Sequence, residues 1–567
     1  MRKTNTFPIY SRRYGEQYEL KPAYFCLVLV GLLWGSCTAQ TETPTEIGSR
    51  RQLLVDDALI KRTSGEVELR LHSPVEREVV FTHDQTWEGG YSGFNTLFRD
   101  GDRYRMYYRG AAWPGIGKQP NLSICLAESW DGIHWVRPEL GLVEFQGSKK
   151  NNIILSGQVS NTFVPFKDTN PACSPGERYK ALAAMSNPSG LYAFASPDGL
   201  LWRKMSDTPV ITRGKFDSQN VAFWDAARQC YRAYYREMRG PNDEIRPKGS
   251  QLGLDPKGPA RDVMTCISSD FLNWSEPRWL QYPGAPREQL YLNQVRPYYR
   301  APHLLVGFPG RFMAGREIEK GLPITEHPSY RYGSISETLF MSSRDGLSFK
   351  RWGEAFIRPG PRRERWIYPA SFPAYGLLVT PAETADRPEE LSLYVNDGGY
   401  WTANGEASRL RRYTLRIDGF VSAWAGLSGG ELVTHLLVFQ GRELILNYAT
   451  SAAGSLQVEI QDATGRAIPG FSLAESPEIF GDRIDGPVTW KGGADLVQLV
   501  GRPIRLRVVL KDADLYSFRF GNLPQRLCTN SLTSDPRLIG VESVVAPFPG
   551  DQLVMRSPFY DPSILDD

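Results

Sequence analysis

Residues 129–135 read Ser-Trp-Asp-Gly-Ile-His-Trp, and this block returns three more times with small variations. SPDGLLW occupies 196–202, a copy without glycine, SDFLNW, occupies 269–274, and SRDGLSF occupies 343–349. We expect each aspartate to cap the amides of a turn, the glycine to adopt a positive φ, and the aromatic residue to pack back on the strands. The repeat therefore predicts a recurring hairpin turn with a structural role.

A second pattern, an aromatic strand with alternating character, occurs between the copies of the turn. Its copies are RYRMYYR at 103–109, RYKAL at 178–182 and CYRAYYR at 230–236, with looser copies HLLVGF at 303–308 and LSLYV at 391–395. A period of roughly 50–85 residues holds about four strands with their loops, which is the content of one propeller blade. The sequence therefore predicts an all-β chain with a five-bladed β-propeller over residues 50–425.

The C-terminal part of the chain lacks the turn block and has a different strand pattern. Residues 432–450, 455–462 and 503–520 alternate apolar and polar side chains and are separated by turns that contain glycine. This pattern predicts a β-sandwich over 426–525 that follows the propeller. The remaining residues, 526–567, are rich in Pro, Ser and Asp and are expected to form a loose or wrapping tail.

The N-terminus has the features of a targeting segment. A basic stretch precedes the short apolar run YFCLVLVGLLWG at 24–35, which suits the apolar part of a signal peptide better than a membrane span. We therefore expect a signal peptide at 1–39 and an exported protein, periplasmic or extracellular. A lipid anchor at Cys37 and an uncleaved N-terminal anchor are the alternatives.

Charge and composition exclude several function classes. The net charge of +3 is carried by the predicted signal peptide, so the rest of the chain is neutral and gives no reason to expect a nucleic-acid partner. The mean hydropathy of -0.37 excludes a polytopic membrane protein, so no membrane span is expected in the mature chain. The seven cysteines and six histidines show no CxxC or HExxH spacing, so we expect neither a disulfide framework, a metal site nor a cofactor.

Three segments carry a resemblance to a known group of enzymes. They are Leu53–Ile60 (LLVDDALI), Asn151–Ile154 (NNII) and Arg416–Ser422 (RIDGFVS). With the repeats, they resemble exported bacterial proteins related to glycoside hydrolase family 32, whose propeller is shared with family 43. The resemblance spans residues 50–525 and implies a five-bladed propeller, a β-sandwich and hydrolysis of glycosidic bonds.

The chain also departs from that group in its catalytic motifs. It contains no Trp-Met-Asn-Asp-Pro-Asn-Gly-like motif, no Arg-Asp-Pro triplet and no Glu-Cys pair. Catalytic residues therefore cannot be transferred by identity, and position in the predicted blades is the remaining guide.

Glycoside hydrolysis needs two carboxyl groups on either side of the scissile bond, and the blades should present them beside their inner strands. Asp217, before the strand 221–224, and Glu88, before the strand 91–98, are predicted as the acid and base, with Asp84 as the rival of Glu88. The resemblance implies that Asp168, at the end of the second inner strand, tunes the acid. Glu390 is a weaker alternative in the fifth blade. A turn or surface role is the competing interpretation for each.

Other side chains near the predicted inner strands are candidates for substrate binding. An aromatic ring can stack on a sugar face, amides can bind hydroxyl groups, and arginines match a sugar that carries a carboxylate or sulfate group. These candidates are Trp87, Asn220, Asn293, Arg296, Arg109 and Arg236. Ion pairs at the rim are the competing interpretation for the arginines.

These features predict an exported glycoside hydrolase that acts on an oligosaccharide or polysaccharide of plant or algal origin. A non-catalytic carbohydrate-binding propeller is the alternative, and a scaffold for protein interaction is a third interpretation. Carboxylates from different blades that converge within about 10 Å would favour the enzyme. An axis lined by amides and aromatic rings would favour the binding protein.

Overall fold

The computed structural model describes residues 42–112, 121–157, 159, 162–245, 260–314, 316, 334–362, 365–368, 370–384, 386–398 and 407–522. The predicted signal peptide 1–39 with Cys37, and the predicted tail 526–567, lie outside these residues. All strands described below belong to the second of two units of the chain, Pro44–Asp567. Apart from short 3-10 turns such as Pro175–Glu177, the regular structure in this part of the chain is β, which confirms the all-β prediction.

The described residues form 33 strands, which are numbered in chain order. The first seventeen are β1 (Thr45–Gly48), β2 (Gln52–Leu53), β3 (Ile60–Gly65), β4 (Glu68–Leu71), β5 (Val75–Thr82), β6 (Gly93–Asp100), β7 (Arg103–Ala112), β8 (Asn121–Ser129), β9 (Ile153–Ser156), β10 (Val164–Lys167), β11 (Tyr179–Ser186), β12 (Ser189–Ser196), β13 (Arg203–Lys204), β14 (Val221–Asp225), β15 (Cys230–Arg239), β16 (Ala260–Ser268) and β17 (Arg278–Trp279). The others are β18 (Gln289–Leu290), β19 (Arg296–Tyr298), β20 (Ala301–Gly307), β21 (Gly310–Ala314), β22 (Ser334–Thr338), β23 (Met341–Ser343), β24 (Lys350–Arg351), β25 (Leu378–Thr380), β26 (Glu390–Asn396), β27 (Arg409–Arg416), β28 (Val421–Ala425), β29 (Gly430–Thr434), β30 (Leu437–Phe439), β31 (Glu443–Gln461), β32 (Asp482–Pro487) and β33 (Arg505–Gly521).

Five antiparallel sheets of four strands each succeed one another along the chain. Sheets 1, 2 and 3 are β6–β9, β10–β13 and β14–β17, sheet 4 is β19-β20-β23-β24, and sheet 5 is β25-β26-β27-β5. The outermost strand of sheet 5 comes from the N-terminal side, since β5 pairs with β27 in a register that places Phe81 opposite Leu410. A separate three-stranded sheet, β18-β21-β22, is formed by strands that alternate along the chain with those of sheet 4, and β1 pairs with β30.

Each of the five sheets contacts the next, and sheet 5 contacts sheet 1. Four contacts, in order, are Tyr107 Oη to Gly199 O at 3.1 Å, Tyr231 Oη to Asp168 Oδ2 at 2.6 Å, Tyr234 Oη to Gly346 O at 2.7 Å and, closing the ring of sheets, Tyr394 Oη to Gly132 O at 2.7 Å. The fifth, between sheets 4 and 5, is a shared hydrophobic cluster that includes Val306 and Leu393. In three of these five contacts, a buried tyrosine hydroxyl donates to the carbonyl of a repeated turn. The turns therefore join sheets as well as strands.

The repeated turns have the hydrogen bonds that the sequence predicts. In the first copy, Asp131 Oδ1 accepts from the backbone N–H groups of Ile133 and His134, both at 2.8 Å, and Gly132 has φ +75°. The indole N–H of Trp135 donates to Gly132 O at 3.1 Å. The third copy begins one residue before the predicted block, at Ser268, and its glycine position is held by Phe271 at φ +67°.

The remaining strands form one eight-stranded sheet around the two long strands β31 and β33. This sheet also includes β2, β3 and β4, which pair with β33, β29 and β28. Residues 52–71 were expected in the propeller, but their backbone hydrogen bonds join them to the C-terminal strands instead. Alternation of side chains along a short N-terminal strand does not specify its partner, because any strand with a free edge can accept it.

Two of the three segments that carry the family resemblance, 53–60 and 416–422, lie where the ring of sheets meets the eight-stranded sheet, whereas Asn151–Ile154 leads into and begins β9 of sheet 1. Leu53 and Val55 pack among residues of sheets 4 and 5, whereas Leu54 packs into the core of the eight-stranded sheet. Asp418, which is fully buried, accepts hydrogen bonds from Tyr298 Oη at 2.6 Å and from Ser517 Oγ at 2.7 Å. Segments 53–60 and 416–422 therefore hold the two parts of the fold together.

Candidate functional site

An exposed carboxylate on a buried arginine marks the entrance to the inner strand of sheet 3. Asp217 immediately precedes this strand, β14, and Arg236 lies near the end of the neighbouring strand β15. The side chain of Asp217 is 57% exposed and that of Arg236 is 3% exposed, and Nη2 of Arg236 donates to Oδ1 of Asp217. The structure therefore brings together two of the predicted site residues.

The guanidinium of Arg236 is only partly satisfied by this ion pair. Its Nε and Nη1 atoms are buried and have no hydrogen-bond partner in the described part of the chain. The guanidinium carbon lies 4.4 Å from the ring centroid of Tyr291. Burial alone would lower the pKa of Arg236, but the nearby Tyr291 and Asp217 outweigh it and raise the pKa.

Aromatic rings lie next to this ion pair. Tyr291 contacts the stacked ring of Phe372 at 5.0 Å and the ring of Tyr368 at 5.4 Å, and these two rings contact each other at 5.3 Å. Phe312 contacts Tyr368 at 5.3 Å, and Arg261 lies 4.2 Å over the ring of Phe312. Sheet 3, the three-stranded sheet β18-β21-β22 with the residue after β18, and the segment before β25 thus contribute to one cluster of cations and aromatic faces, which we call the arginine–aromatic cluster.

The phenol of Tyr291 reports the electrostatic potential in this cluster. Burial would raise its pKa, but the positive charge of Arg236, a hydrogen bond with Tyr368 and the charge of Arg261 outweigh burial and the opposing charge of Asp217. The pKa of Tyr291 is therefore lowered. Burial by itself raises the pKa of a tyrosine, so a lowered pKa indicates that the local potential is positive.

Glu237 is a candidate residue that the sequence reasoning missed. It follows Arg236 on β15 and is buried, and its Oε1 accepts from the N–H of Met238 at 2.7 Å. Burial raises the pKa of Glu237, and the negative charge of Asp217 raises it further. The sequence signal for Glu237 is an acidic residue directly after the CYRAYYR pattern.

Glu88, the predicted carboxylate of sheet 1, is enclosed in an ion pair. It is buried, and its oxygens accept from Tyr108 Oη at 2.5 Å and from Arg137 Nη2 at 2.8 Å. Asp84, its rival, contacts the same arginine at 3.3 Å. Trp87 is half-buried, and its indole N–H donates to Asn152 Oδ1 at 2.9 Å.

Asp168 is buried at the opposite end of the inner strand of sheet 2, because it follows β10, whereas Asp217 precedes β14. Its Oδ2 accepts from Lys180 Nζ and from Tyr231 Oη, both at 2.6 Å. Within the described ranges, no hydrogen bond or ion pair connects Asp168 or Glu88 with Asp217. The structure therefore does not bring the three predicted carboxylates into one hydrogen-bonded group.

The predicted amide side chains form hydrogen bonds with the backbone close to the inner strands. Asn220 Nδ2 donates to Ser218 O at 2.8 Å, and Asn293 Oδ1 accepts from Val295 N at 3.1 Å. Both side chains are buried. These hydrogen bonds stabilise the segments that lead into the inner strands of sheets 3 and 4.

The predicted arginines of sheets 1 and 4 lie apart from the arginine–aromatic cluster. Arg109 occupies in sheet 1 the place that Arg236 has in sheet 3, and it donates to Tyr91 O at 2.7 Å. Arg296 is half-buried on the inner strand of sheet 4, 6.0 Å over the ring of Tyr375, and burial lowers its pKa. Glu390, the weaker candidate of sheet 5, lies 3.5 Å from Arg77.

A chain of amides connects the inner strands across the centre of the ring. Gln219 Nε2 donates to Asn95 O at 3.1 Å, and Gln294 Nε2 donates to Gln219 Oε1 at 2.7 Å and to Pro373 O at 2.6 Å. These bonds join sheets 1, 3 and 4 with the segment that leads into sheet 5. Amide side chains therefore connect these segments, whereas the ion pair of Asp217 and Arg236 lies at the entrance to the inner strand of sheet 3.

Two further findings concern metal ligands and membrane-spanning helices. Among the described residues, no cluster of three or more His, Cys, Asp or Glu side chains could hold a metal ion. No helix in the same residues is long and apolar enough to cross a membrane.

Comparison with known proteins gives distant similarities only. No family model matches the sequence, and no curated protein matches it. Similar solved structures include a glycoside hydrolase (TM-score 0.39, 14% identity, 62% of this chain and 93% of that chain) and an N-acetylgalactosamine deacetylase from F. plautii (0.36, 12%, 61% and 95%). Another is a GH32 β-fructofuranosidase from Bombyx mori (0.35, 10%, 80% and 94%). With scores and identities this low, the chemistry of this chain has to be argued from its own residues.

Proposed function

We propose that the five four-stranded sheets are the blades of a β-propeller and that the chain is a glycoside hydrolase acting at the entrance to the third blade. The closed order of contacts from sheet 1 through sheet 5 and back supports the propeller. The eight-stranded sheet, bent where the register of β31 shifts between Thr450 and Ser455, is proposed as the sandwich. In this proposal the sandwich domain includes residues 52–71 in addition to 426–525.

The observation that carries the proposed activity is the exposed carboxylate of Asp217 on Arg236, together with the buried carboxyl group of Glu237 one residue further along β15. Asp217 is exposed and ion-paired, whereas Glu237 is buried and has a raised pKa. A carboxyl group whose pKa is raised by burial can hold the proton that a general acid donates, and an exposed carboxylate can act as a base or nucleophile. We assign Asp217 as the ionised base or nucleophile and Glu237 as the proton donor.

The test is a kinetic comparison on a panel of aryl glycosides and of plant and algal polysaccharides. On the substrate that the wild type cleaves, D217N and E237Q are expected to lose about 10²–10⁴-fold in rate, the usual contribution of a positioned acid or base. E237Q should keep most of its rate on a substrate whose leaving group needs no protonation. D207N is the control, because Asp207 is 98% exposed and pairs with Lys204. Full activity of both site variants would refute the assignment.

The roles predicted for Glu88 and Asp168 stay predictions that the same panel addresses. If Asp168 tunes the acid, D168N should shift the pH profile of the reaction as well as its rate. A change in stability alone would assign Asp168 to the contact between sheets 2 and 3. The stereochemistry of the product reports whether the carboxyl groups are about 5–5.5 Å or about 6.5–9.5 Å apart.

A non-catalytic carbohydrate-binding propeller is the second candidate. It is favoured by the ion pairs that occupy Glu88 and Asp168 and by the amide side chains that connect the inner strands. This candidate predicts saturable binding of a polysaccharide without release of reducing ends. Both candidates place the ligand at the arginine–aromatic cluster.

We also propose that the protein is exported and that the signal peptide ends at residue 39. The basic and apolar composition of residues 1–39 supports this. Mass spectrometry of the mature N-terminus distinguishes simple cleavage from a lipid on Cys37. An intact Met1 in the secreted protein would refute both.

A further inference from the structure

Arg261 differs from the arginines around it because it has no acidic partner. It begins the third strand of sheet 3 and is half-buried, and Nη1 donates to Gln289 Oε1 at 2.7 Å. No carboxylate of the described residues forms an ion pair with it. By contrast, Arg311 pairs with both Glu288 at 2.9 Å and Glu337 at 2.5 Å.

The arginine–aromatic cluster contains fewer carboxylates than arginines. Arg236 and Arg261 supply two positive charges, and Asp217, which is paired to Arg236, is the one carboxylate that contacts either of them in the described part of the chain. Burial lowers the pKa of Arg261, and the like charge of Arg236 lowers it further, against the opposing effect of Tyr291. The lowered pKa of Tyr291 is consistent with the same excess of positive charge.

The surroundings of Arg261 suit an anionic group. Its guanidinium lies 4.2 Å over the ring of Phe312 and 5.3 Å over that of Tyr291. A guanidinium that stacks on aromatic faces keeps its in-plane N–H groups for other partners, and these planar donors match the two oxygens of a carboxylate or sulfate group. Arg261 can therefore recognise an anionic group attached to a sugar.

We propose that this site binds a saccharide that carries an anionic group, a uronic carboxylate or a sulfate ester, and that Arg261 receives that group. The proposal rests on the proposed function, because it names the substrate class for the same site. A bound anion would supply the missing counter-charge and leave the Asp217–Arg236 pair free to act on the neighbouring bond.

The test is calorimetric titration of the full chain with three oligosaccharides of equal length. They are an oligogalacturonate, the corresponding neutral oligogalactoside and a sulfated form of the latter. The wild type is expected to bind one anionic ligand about 10- to 100-fold more tightly than the neutral one, the usual value of a charged hydrogen-bonded contact. R261Q should abolish that preference and keep the neutral affinity.

Two further variants make the result specific. R261K keeps the charge but loses the planar donors, so it should keep only part of the preference. R213Q is the control, because Arg213 forms an exposed pair with Glu276 and should leave all affinities unchanged. Far-ultraviolet circular dichroism and the unfolding midpoint of R261Q establish that it is folded.

The outcomes separate this inference from the proposed function. If the anionic and neutral ligands bind equally, or if folded R261Q keeps the preference, the inference is overturned while saccharide binding stands. If no saccharide binds or is cleaved in any arm of either experiment, both proposals fall. A preference for the uronate or for the sulfate that depends on Arg261 supports the inference and identifies the anion.

Discussion

Replacing Gly199 with alanine tests whether the repeated turns hold neighbouring sheets together. Gly199 has φ +78°, and a Cβ added there would meet the hydroxyl of Tyr107 and, at 2.7 Å, Nη1 of Arg105, both in sheet 1. The same contact carries hydrogen bonds from Tyr107 Oη to Gly199 O at 3.1 Å and from Arg105 Nη1 to Asp198 O at 2.6 Å. Because Tyr107 is fully buried, the added methyl group has little room to be accommodated.

The expected loss of stability in G199A has two parts. The left-handed backbone costs about 1–2 kcal/mol for alanine, and overpacking against the buried tyrosine costs about 1–3 kcal/mol more. Gly101 offers a matched control, since its φ is +69° and a Cβ added there would meet no atom within 4 Å beyond its chain neighbours. G101A should therefore lose only the backbone contribution, about 1–2 kcal/mol.

Urea unfolding followed by fluorescence and circular dichroism measures both variants against the wild type. We expect G199A to unfold at a clearly lower urea concentration than G101A, with unchanged slopes. Equal losses in the two variants would show that the turn does not press on sheet 1. The reasoning about contact between the sheets would then be wrong.

Three other predictions follow from the buried charges and the turns. D418N should destabilise the protein by about 3–5 kcal/mol in urea unfolding, because it breaks a buried carboxylate network where the ring meets the eight-stranded sheet. Burial would raise the pKa of Asp270, but hydrogen bonds from the Asn273 backbone and its neighbours lower the pKa to about 2. Its stabilising effect should be complete above the unfolded pKa of about 3.9 and be lost as the pH falls through about 2, and acid unfolding of D270N should lack this component. R236M should raise the pKa of Tyr291 in an ultraviolet absorbance titration, whereas an unchanged titration would contradict the positive potential assigned to this cluster.

The repeated turns and the all-β fold could be predicted from the sequence because their chemistry is local. Asp131 binds amides two and three residues further along the chain, so the spacing within seven residues contains the whole turn. Strand alternation is local in the same way. The third copy shows the limit of this reasoning, because Phe271 adopts the positive φ that the pattern assigns to glycine.

The composition of the candidate site depended on contacts between residues far apart in the chain. Glu88 is paired with Arg137, 49 residues away, and Asp168 is paired with Lys180 and accepts a hydrogen bond from Tyr231, 12 and 63 residues away. No local pattern shows that these carboxylates have such partners. The burial that raises the pKa of Glu237 likewise appears only once neighbouring sheets pack together. Local hydrogen bonds specify turns and strands, whereas desolvation and charge pairing depend on which distant surfaces meet, and that is why the carboxylates and arginines of this site could be sorted only in the folded chain.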